Sequence, residues 1–282
     1  MKRLIINADD FGMAESVNDG IIKGHEEGII TSASFMAGAK AAEHAARLAK
    51  EHPALGVGVH LCLTLVKPVA EPSKIRSLVP RGLLPNGPFP LMSRLLFGSI
   101  KIGEVEIELR AQIERALALG IKPDHIDGHQ HVHMMKRVFD VVMKLAEEYA
   151  IPAMRYPVGP DAGQDPRVAP VRRLEKSIFE GIAKKNRRAL ENAGIKFPDY
   201  FFGFVETGNL DAEKLLNILK NLPDGTSELM CHPGLPSEDY AEDNWGAGWG
   251  TELDAVTDGQ IQGKIKAENI QLIKFSSLNQ EA

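Results

Sequence analysis

The sequence predicts an α/β fold in which a distorted (β/α) barrel of seven to eight mostly parallel strands forms a single domain. Segments typical of strands and helices alternate along the whole chain, which is the pattern of a parallel sheet covered by helices. Seven or eight strands in 282 residues favour a closed barrel over an open sheet. An open doubly wound sheet is the alternative, but no glycine-rich phosphate-binding turn follows the first predicted strand.

Apolar periodicity assigns the strands and helices in turn. Arg3 to Ala8 form a short apolar run, which predicts a buried strand that ends at the Phe11-Gly12 turn. Segments 101–119 and 135–149 repeat apolar residues at helical spacing. The predicted strands are 3–8, 31–37, 56–63, 124–127, 152–155, 200–204, 227–231 and 270–275. The predicted helices are 15–27, 39–51, 101–119, 135–149, 170–192, 211–221 and 260–268.

Three stretches rich in proline or glycine interrupt the alternation, at 65–100, 156–170 and 233–250. In a βα barrel such insertions extend loops at the carboxyl ends of the strands, where active sites are assembled. Linkers between domains are the alternative, but no flanking segment has the pattern of a self-sufficient core. We therefore predict one domain over residues 1–282, with segments 65–100 and 238–250 forming the rim of one substrate cleft.

The composition excludes several classes of protein. The chain has 33 Lys and Arg against 38 Asp and Glu, a net charge of −5, so neither nucleic acid nor an anionic membrane surface is an expected partner. No apolar run approaches about 18 residues, so no spanning helix is expected. The apolar run after Met1-Lys2-Arg3 is too short for a signal peptide, which predicts a cytoplasmic protein. Cys62 and Cys231 form no CxxC motif and are interpreted as buried structural side chains.

Four histidines gather at the predicted end of the fourth strand. His125, His129, His131 and His133 fall within nine residues. Alternating histidines at a strand end would place several imidazoles on one side, and neutral imidazole is the commonest protein ligand of divalent transition metals. A polar turn or a chance cluster is the alternative. The pattern favours a metal site.

Other ionisable side chains follow the ends of other predicted strands. Asp9 and Asp10 end the first strand, His60 ends the third, and His232 ends a late one. A hydrogen-bonded core histidine and a surface pair of carboxylates are the alternatives for His60 and for the aspartates. Charge after a buried strand requires a partner, however, and barrel enzymes assemble their sites at this face. The joint placement therefore predicts an active site.

Four motifs carry a resemblance to a known family: Asn7-Ala8-Asp9-Asp10-Phe11-Gly12, Gly58-Val59-His60-Leu61, His125-Ile126-Asp127-Gly128-His129-Gln130-His131-Val132-His133 and His232-Pro233-Gly234. They resemble the YdjC family of carbohydrate deacetylases, which includes the chitooligosaccharide deacetylases and a branch associated with hopanoid synthesis. The resemblance spans nearly the whole chain and is weakest at 65–100 and after 235. It implies a distorted (β/α) barrel that uses a divalent metal, Mg²⁺ or Zn²⁺, to remove an acetyl group from an N-acetylated amino sugar or oligosaccharide.

Carried over by position, the resemblance implies that Asp10, His60 and His129 hold the metal. It also implies that Asp9 is the catalytic base and His232 the general acid. The chemistry is consistent with these roles, because a metal with three protein ligands leaves positions for water and the acyl oxygen and lowers the pKa of the water. An Asp beside the metal can accept the water's proton while a His delivers one to the amine.

Five further residues are predicted to support the ligands or to contact the substrate. Asp127 would orient a ligand imidazole, with a turn-forming role as the alternative. His131 and His133 would support the ligands or line the cleft. Arg155 would bind a substrate hydroxyl or pair with a catalytic carboxylate, with a plain surface arginine as the alternative. Trp245, like the other tryptophan of its loop, would stack on a sugar ring or pack within the loop.

The adjacent aspartates pose a geometric problem. Successive side chains of a straight strand point to opposite faces, so strand geometry alone does not bring both to one site. We expect the turn at Phe11-Gly12 to bend the chain so that Asp10 reaches the metal while Asp9 stays near its bound water.

Two other functions remain open on the sequence alone. A metal-dependent phosphoesterase would want two ions about 3.5–4 Å apart and cationic groups, of which only Arg155 stands near the motifs. A noncatalytic sugar or metabolite binder with a structural metal would favour a closed four-ligand site, in which Asp9 and His232 have no evident purpose. The expected partner is a small acetylated amino sugar, and the sequence leaves open whether the chain is a monomer or a homodimer.

Overall fold

The computed structural model contains one parallel sheet of seven strands that curls into most of a barrel. The structure describes residues 1–160, 169–237 and 248–279. The strands are β1 (Lys2–Phe11), β2 (Ser32–Phe35), β3 (Gly56–Leu61), β4 (Ile126–Gly128), β5 (Tyr200–Phe202), β6 (Gly225–Cys231) and β7 (Gln271–Leu272). Their order is β4-β3-β2-β1-β6-β5, and β7 pairs with the start of β1. The predicted α/β class and parallel sheet are confirmed, whereas the single domain stays a prediction.

Helices cover the outside of this sheet. Those of the described residues are α1 (Glu15–Glu26), α2 (Ala42–Glu51), α3 (Pro88–Leu96), α4 (Ile102–Ala118), α5 (Lys136–Glu148), α6 (Pro170–Asn192), α7 (Ala212–Lys220), α8 (Trp249–Thr257) and α9 (Gly259–Ala267). Helices α3 and α8 lie in segments that the sequence predicts to be loops or leaves unassigned. Pro88 and Pro90 conceal α3 in the sequence, although proline is well tolerated in the first turn of a helix. None of the described helices is long and apolar enough to cross a membrane.

The barrel closes through an irregular segment rather than through the regular strand predicted at 152–155. On one side, Ile126 of β4 donates to the Ala153 carbonyl at 3.0 Å and accepts from Arg155 N–H at 3.1 Å. On the other side, the Val158 carbonyl accepts from Phe201 of β5 at 3.0 Å. Prolines stand at both ends of this segment and lack the N–H that a continuous ladder needs. The barrel is therefore closed between β4 and β5 by isolated backbone hydrogen bonds in place of a continuous ladder.

The interior of the barrel changes from apolar to polar along the strands. Ile5 packs in a small apolar cluster with Ala153, Ile273 and Phe275. On the same face of β1, two and four residues further on, stand Asn7 and Asp9, both buried. The intervening side chains of β1 belong to the large core between sheet and helices. Buried polar groups therefore collect toward the carboxyl ends of the strands.

Candidate metal centre

Asp10, His60 and His129 meet at the carboxyl ends of β1, β3 and β4. Asp10 Oδ1 lies 3.5 Å from His60 Nε2 and 3.1 Å from His129 Nδ1, and those two nitrogens are 3.3 Å apart. Ligand atoms about 2.0–2.1 Å from a tetrahedral ion are about 3.3 Å from one another. The three side chains are buried and their donor atoms fit three corners of such a site. This group could hold a metal ion.

The bend that brings Asp10 into this group lies at Asp10 itself. Its φ is +66°, in the left-handed region that strains most residues other than glycine but that aspartate tolerates better than most. The register between β1 and β2 shifts between Ala8 and Phe11, which marks a β-bulge. The predicted turn at Phe11-Gly12 is present, because Met13 N–H donates to the Asp10 carbonyl at 2.9 Å and Gly12 has a φ of +116°, but the left-handed backbone at Asp10 was not predicted. Because the strand is irregular here, Asp9 and Asp10 both line the same cavity.

Asp127 orients the imidazole of His60. Its Oδ1 lies 2.8 Å from His60 Nδ1, which leaves Nε2 facing Asp10 and His129. Burial lowers the pKa of His60, but Asp127 and then Asp9 raise it to about 9. Burial raises the pKa of Asp10, but His129 and then His60 lower it to about 2. The acidic side chains thus create a site that favours positive charge, and the predicted contact between Asp127 and a candidate ligand is present.

The histidine cluster does not extend strand β4, so the strand alternation expected for it is wrong, although His129 and His131 both line one cavity. His129–Met134 forms a 3-10 segment in which Gln130 and His131 have φ of 54° and 56°. These two left-handed residues turn the chain, and His131 stacks against Phe204 with ring centroids 5.0 Å apart. Burial and the nearby Arg155 hold the pKa of His131 well below its usual value. Its side chain lines the cavity beside the candidate metal group.

The other two histidines of the cluster lie outside the candidate metal group. His133 Nε2 is 3.1 Å from the Arg155 carbonyl, and burial lowers the pKa of His133 to about 4. His125 stacks on Phe275 with centroids 3.8 Å apart. A Cβ on Gly58 would lie 2.4 Å from the His125 ring, which explains why the Gly58-Val59-His60 motif needs its glycine.

Arg155 is fully buried and pairs with three carboxylates. Its terminal nitrogens contact both oxygens of Asp9 at 2.6 and 2.7 Å, and Nη1 lies 2.7 Å from Asp127 Oδ2. Its Nε donates to Glu228 Oε1 at 2.7 Å. The surface alternative for Arg155 is therefore wrong, and the guanidinium faces carboxylates in place of a substrate hydroxyl. Glu228 was missed by sequence reasoning, although a glutamate within the apolar run of β6 is itself a signal, because a buried charge needs a partner.

His232 follows β6 and lies in the same cavity as Asp9 and Asp10. Its backbone N–H donates to Glu252 Oε2 of α8 at 2.6 Å, and its ring Nδ1 is 3.8 Å from that oxygen. Burial lowers the pKa of His232, but Glu252 and then Asp10 raise it above its usual value. Glu252 is fully buried and was missed by sequence reasoning, because helix α8 was not predicted.

A cavity of about 470 Å³ opens from the candidate metal group. Segment 65–100 reaches it through Leu65, Pro88 and Phe89, so this insertion lies on the predicted face. Trp249 is buried and lines the same cavity. Trp245 and most of the predicted rim at 238–250 lie outside the described residues, so their part in the cleft stays a prediction.

Both cysteines are buried, as predicted for structural side chains. Burial raises the pKa of the Cys62 thiol and of the Cys231 thiol well above the usual value. A thiol held in its neutral form is a poor nucleophile. The geometry therefore favours the acid and imidazole groups as the reactive ones.

Known proteins resemble this chain along almost all of its length. Residues 3–267 match the family described as YdjC-like protein. A carbohydrate deacetylase of Geobacillus stearothermophilus is 37% identical over 96% of each chain. A chitooligosaccharide deacetylase of Proteus mirabilis is 30% identical over 98% of each. The crystal structure of a putative cellobiose-phosphate cleavage protein from Enterococcus faecalis superposes with a TM-score of 0.78 at 26% identity, over 98% of each chain.

Proposed function

The chain belongs to the YdjC-like protein family, and on that premise we propose that it is a metal-dependent hydrolase that removes an acetyl group from an N-acetylated amino sugar or oligosaccharide. The observation that carries this proposal is the triangle formed by Asp10, His60 and His129 at one end of a cavity. Asp9 and His232 line the same cavity, so the groups that amide hydrolysis requires are gathered in one place. Relatives named as carbohydrate deacetylases support the choice of substrate class.

Asp10, His60 and His129 are proposed to hold one divalent ion. Two imidazole nitrogens and one carboxylate oxygen suit Zn²⁺ better than Mg²⁺, which prefers oxygen ligands. An ion bound there would supply Lewis-acid polarisation of the acyl oxygen and a lowered pKa for water. Zinc is therefore our first choice, and magnesium is the alternative that the test must include.

Asp9 is proposed to accept the proton of the attacking water as its oxygen forms a bond to the carbonyl carbon. Arg155 binds both carboxylate oxygens of Asp9, and the Asn7 amide donates to Oδ1 at 2.8 Å. Asp9 Oδ2 is 3.8 Å from His60 Nε2, which places it next to the candidate metal group. The base is thus held in one orientation before the substrate arrives, which limits the reorganisation that the reaction needs.

His232 is proposed to deliver a proton to the leaving nitrogen as the carbon–nitrogen bond breaks, giving acetate and a free amine. Its pKa lies above the usual value because Glu252 and Asp10 outweigh the effect of burial. The protonated form is therefore more populated than in an ordinary histidine at the same pH. The carboxylate of Glu252 also accepts a hydrogen bond from the backbone N–H of His232. Glu252 therefore holds the backbone of His232 in place and also raises the pKa of its imidazole.

The alternative of a two-metal phosphoesterase is not favoured by the geometry of the described residues. A second group of possible ligands, Asp9, His60 and Asp127, shares His60 with the first group. Its two carboxylates are already paired with Arg155, which supplies positive charge where a second ion would sit. A noncatalytic binder with a structural metal would again leave Asp9 and His232 without a purpose.

Metal reconstitution tests the proposed function. The purified chain is stripped with a chelator, loaded separately with Zn²⁺, Mg²⁺, Mn²⁺ or Co²⁺, and assayed for acetate release from N-acetylglucosamine and its short β-linked oligomers. We expect release that depends on metal and is fastest with a transition metal. A phosphomonoester series serves as the control for the alternative activity. No acetate release with any ion, or phosphate release in its place, would contradict the proposal.

A further inference from the structure

Ser34 lies in β2 and joins two chains of buried hydrogen-bonded side chains, one leading through Asn7 to Asp9 and the other through Asp127 to His60. It is fully buried, and its Oγ is 2.7 Å from Asn7 Nδ2, 2.9 Å from Asp127 Oδ2 and 3.2 Å from His125 Nε2. Through Asn7 it is connected to Asp9, since the same amide nitrogen donates to Asp9 Oδ1 at 2.8 Å. One hydroxyl thus contacts an amide, a carboxylate and an imidazole.

The second chain of hydrogen bonds leads from Ser34 to the candidate metal group. Asp127 accepts from Ser34 through Oδ2 and contacts His60 Nδ1 through Oδ1 at 2.8 Å. Because His60 Nδ1 is occupied in this way, Nε2 is left to face Asp10 and His129. The rotamer of Asp127 therefore decides where a candidate ligand atom points.

Counting donors fixes the direction of the bonds that Asn7 and Asp127 make with Ser34. The Asn7 amide nitrogen has two hydrogens, and Asp9 and Ser34 each accept one of them. An ionised carboxylate only accepts, so the single hydroxyl hydrogen of Ser34 goes to Asp127. His125 Nε2 lies 3.2 Å from the same Ser34 oxygen, and the tautomer of the ring decides which of the two atoms donates. Reversing the Asn7 amide would place its oxygen against a carboxylate, so the orientation of each group determines that of the next.

We propose that Ser34 is a positioning residue that holds the Asp9 base and the His60 ligand in one shared arrangement. This inference rests on the proposed function for the role of Asp9 but not for the orientation of His60. Arg155 also connects Asp9 with Asp127 by ion pairs, but it does not contact the Asn7 amide in the described residues. Among the residues that the structure describes, the Oδ1 atom of Asn7 has no hydrogen-bond partner, so this amide depends on Asp9 and Ser34 for its orientation.

The chain offers a matched control two residues earlier in the same strand. Ser32 is fully buried like Ser34, and its side chain points to the same face of β2. Within the described part of the chain its Oγ has no hydrogen-bond partner. Ser32→Ala therefore removes the same atom from the same strand without breaking a bond. Any difference between the two alanine variants reports the hydrogen bonds of Ser34.

The test compares Ser34→Ala, Ser32→Ala and the wild-type chain by three measurements. Zinc affinity is measured on metal-stripped protein by competition with a chromophoric chelator, acetate release gives kcat and KM, and thermal melting reports folding. We expect Ser34→Ala to weaken zinc binding and to lower kcat by about 10- to 100-fold each, with little change in KM. Ser34→Thr keeps the hydroxyl and should restore both. Ser32→Ala should match the wild type in both.

Several outcomes would overturn the proposal. One is equal zinc affinity and kcat in the two alanine variants, and another is a lower melting temperature for Ser34→Ala without any change in zinc affinity. If Ser34→Ala does not fold, Ser34→Cys weakens the same bonds in a similar shape and carries the same expectation. A wild-type chain that binds zinc but releases no acetate contradicts the proposed function, while the zinc affinities still decide the role of Ser34. A wild-type chain that binds no zinc contradicts both.

Discussion

Replacing Arg155 by methionine is expected to destabilise the folded chain by about 3–5 kcal/mol, because it leaves three buried carboxylates without their partner. Arg155 lies 2.6–2.7 Å from carboxylate oxygens of Asp9, Asp127 and Glu228. None of the four side chains is more than 3% exposed, so water does not replace the lost contacts. Methionine has a similar length and fills most of the same space, so the loss reports charge rather than a cavity.

The pH dependence of this loss has a defined sign. Burial raises the pKa of Asp127, but Arg155 and then His60 hold it well below its usual value. Such a group stabilises the wild-type chain above its unfolded pKa of about 3.9, and this stability is lost as the pH falls through the folded value. Without Arg155, burial raises the pKa of Asp127 and of Glu228, so the variant loses stability as the pH rises. The difference in the free energy of unfolding between the wild type and Arg155→Met should therefore decrease from pH 7 toward pH 4.

Urea titration of the free energy of unfolding at pH 7, 5.5 and 4 measures both effects. For a chain of this size, about 1 kcal/mol corresponds to about 2–4 °C in Tm, so the variant should melt about 6–20 °C lower at pH 7. Arg110→Met is the control, since Arg110 also contacts two carboxylates, Glu106 and Glu148, but at the surface. It should cost about 1 kcal/mol or less. Two results would refute this prediction. One is an equal loss of unfolding free energy in Arg155→Met and Arg110→Met, and the other is a difference between Arg155→Met and the wild type that does not decrease toward pH 4.

Three further outcomes are expected. Burial raises the pKa of Glu228 to about 7 although Arg155 lowers it, and stability from a raised pKa is lost as the pH rises. In urea titrations, the free energy of unfolding of Glu228→Gln should therefore increase relative to that of the wild type between about pH 5 and pH 8. A difference that does not change with pH would contradict this. A Cys62→Ser, Cys231→Ser double variant should keep acetate release, and a loss of more than about 100-fold with intact folding and metal content would show that a thiol takes part. Gly58→Ala should lower the free energy of unfolding by about 1–3 kcal/mol, measured by thermal melting, because the added Cβ would clash with the His125 ring. Gly103→Ala in α4 is the control, since no atom lies within 4 Å of its added Cβ. Equal melting temperatures for the two variants would contradict the clash at Gly58.

Much of the fold could be predicted because periodicity is a local signal. The predicted helix 170–192 matches α6 to the residue, and strands β1, β3 and β6 lie where apolar runs placed them. The candidate site could also be found from strand ends, since the carboxyl ends of parallel strands meet at one edge. Asp10, His60 and His129 come together there, while their role in binding metal stays a prediction.

The remaining features depend on conformations that the sequence does not announce. The left-handed backbone of Asp10, Gln130 and His131 is imposed by tertiary contacts, because residues other than glycine rarely adopt it on their own. Strand alternation therefore failed where it mattered most, at the bulge in β1 and after β4. Buried partners such as Ser34 and Glu228 stayed hidden, since serine and glutamate are usually surface residues and carry no motif.

The most direct test of the central claim is to measure zinc content and acetate-release rate together in Asp10→Asn and Asp9→Asn. Asp10→Asn replaces a charged candidate ligand by a neutral one, so it should lose zinc affinity and recover part of its rate in excess zinc. Asp9→Asn should keep its zinc and lose about 10²–10⁴ in rate through loss of proton abstraction, and excess zinc should not restore it. If Asp9→Asn is empty while Asp10→Asn is loaded but inactive, the two roles are reversed. If both variants keep nearly normal turnover, the deacetylase mechanism proposed for this site is wrong.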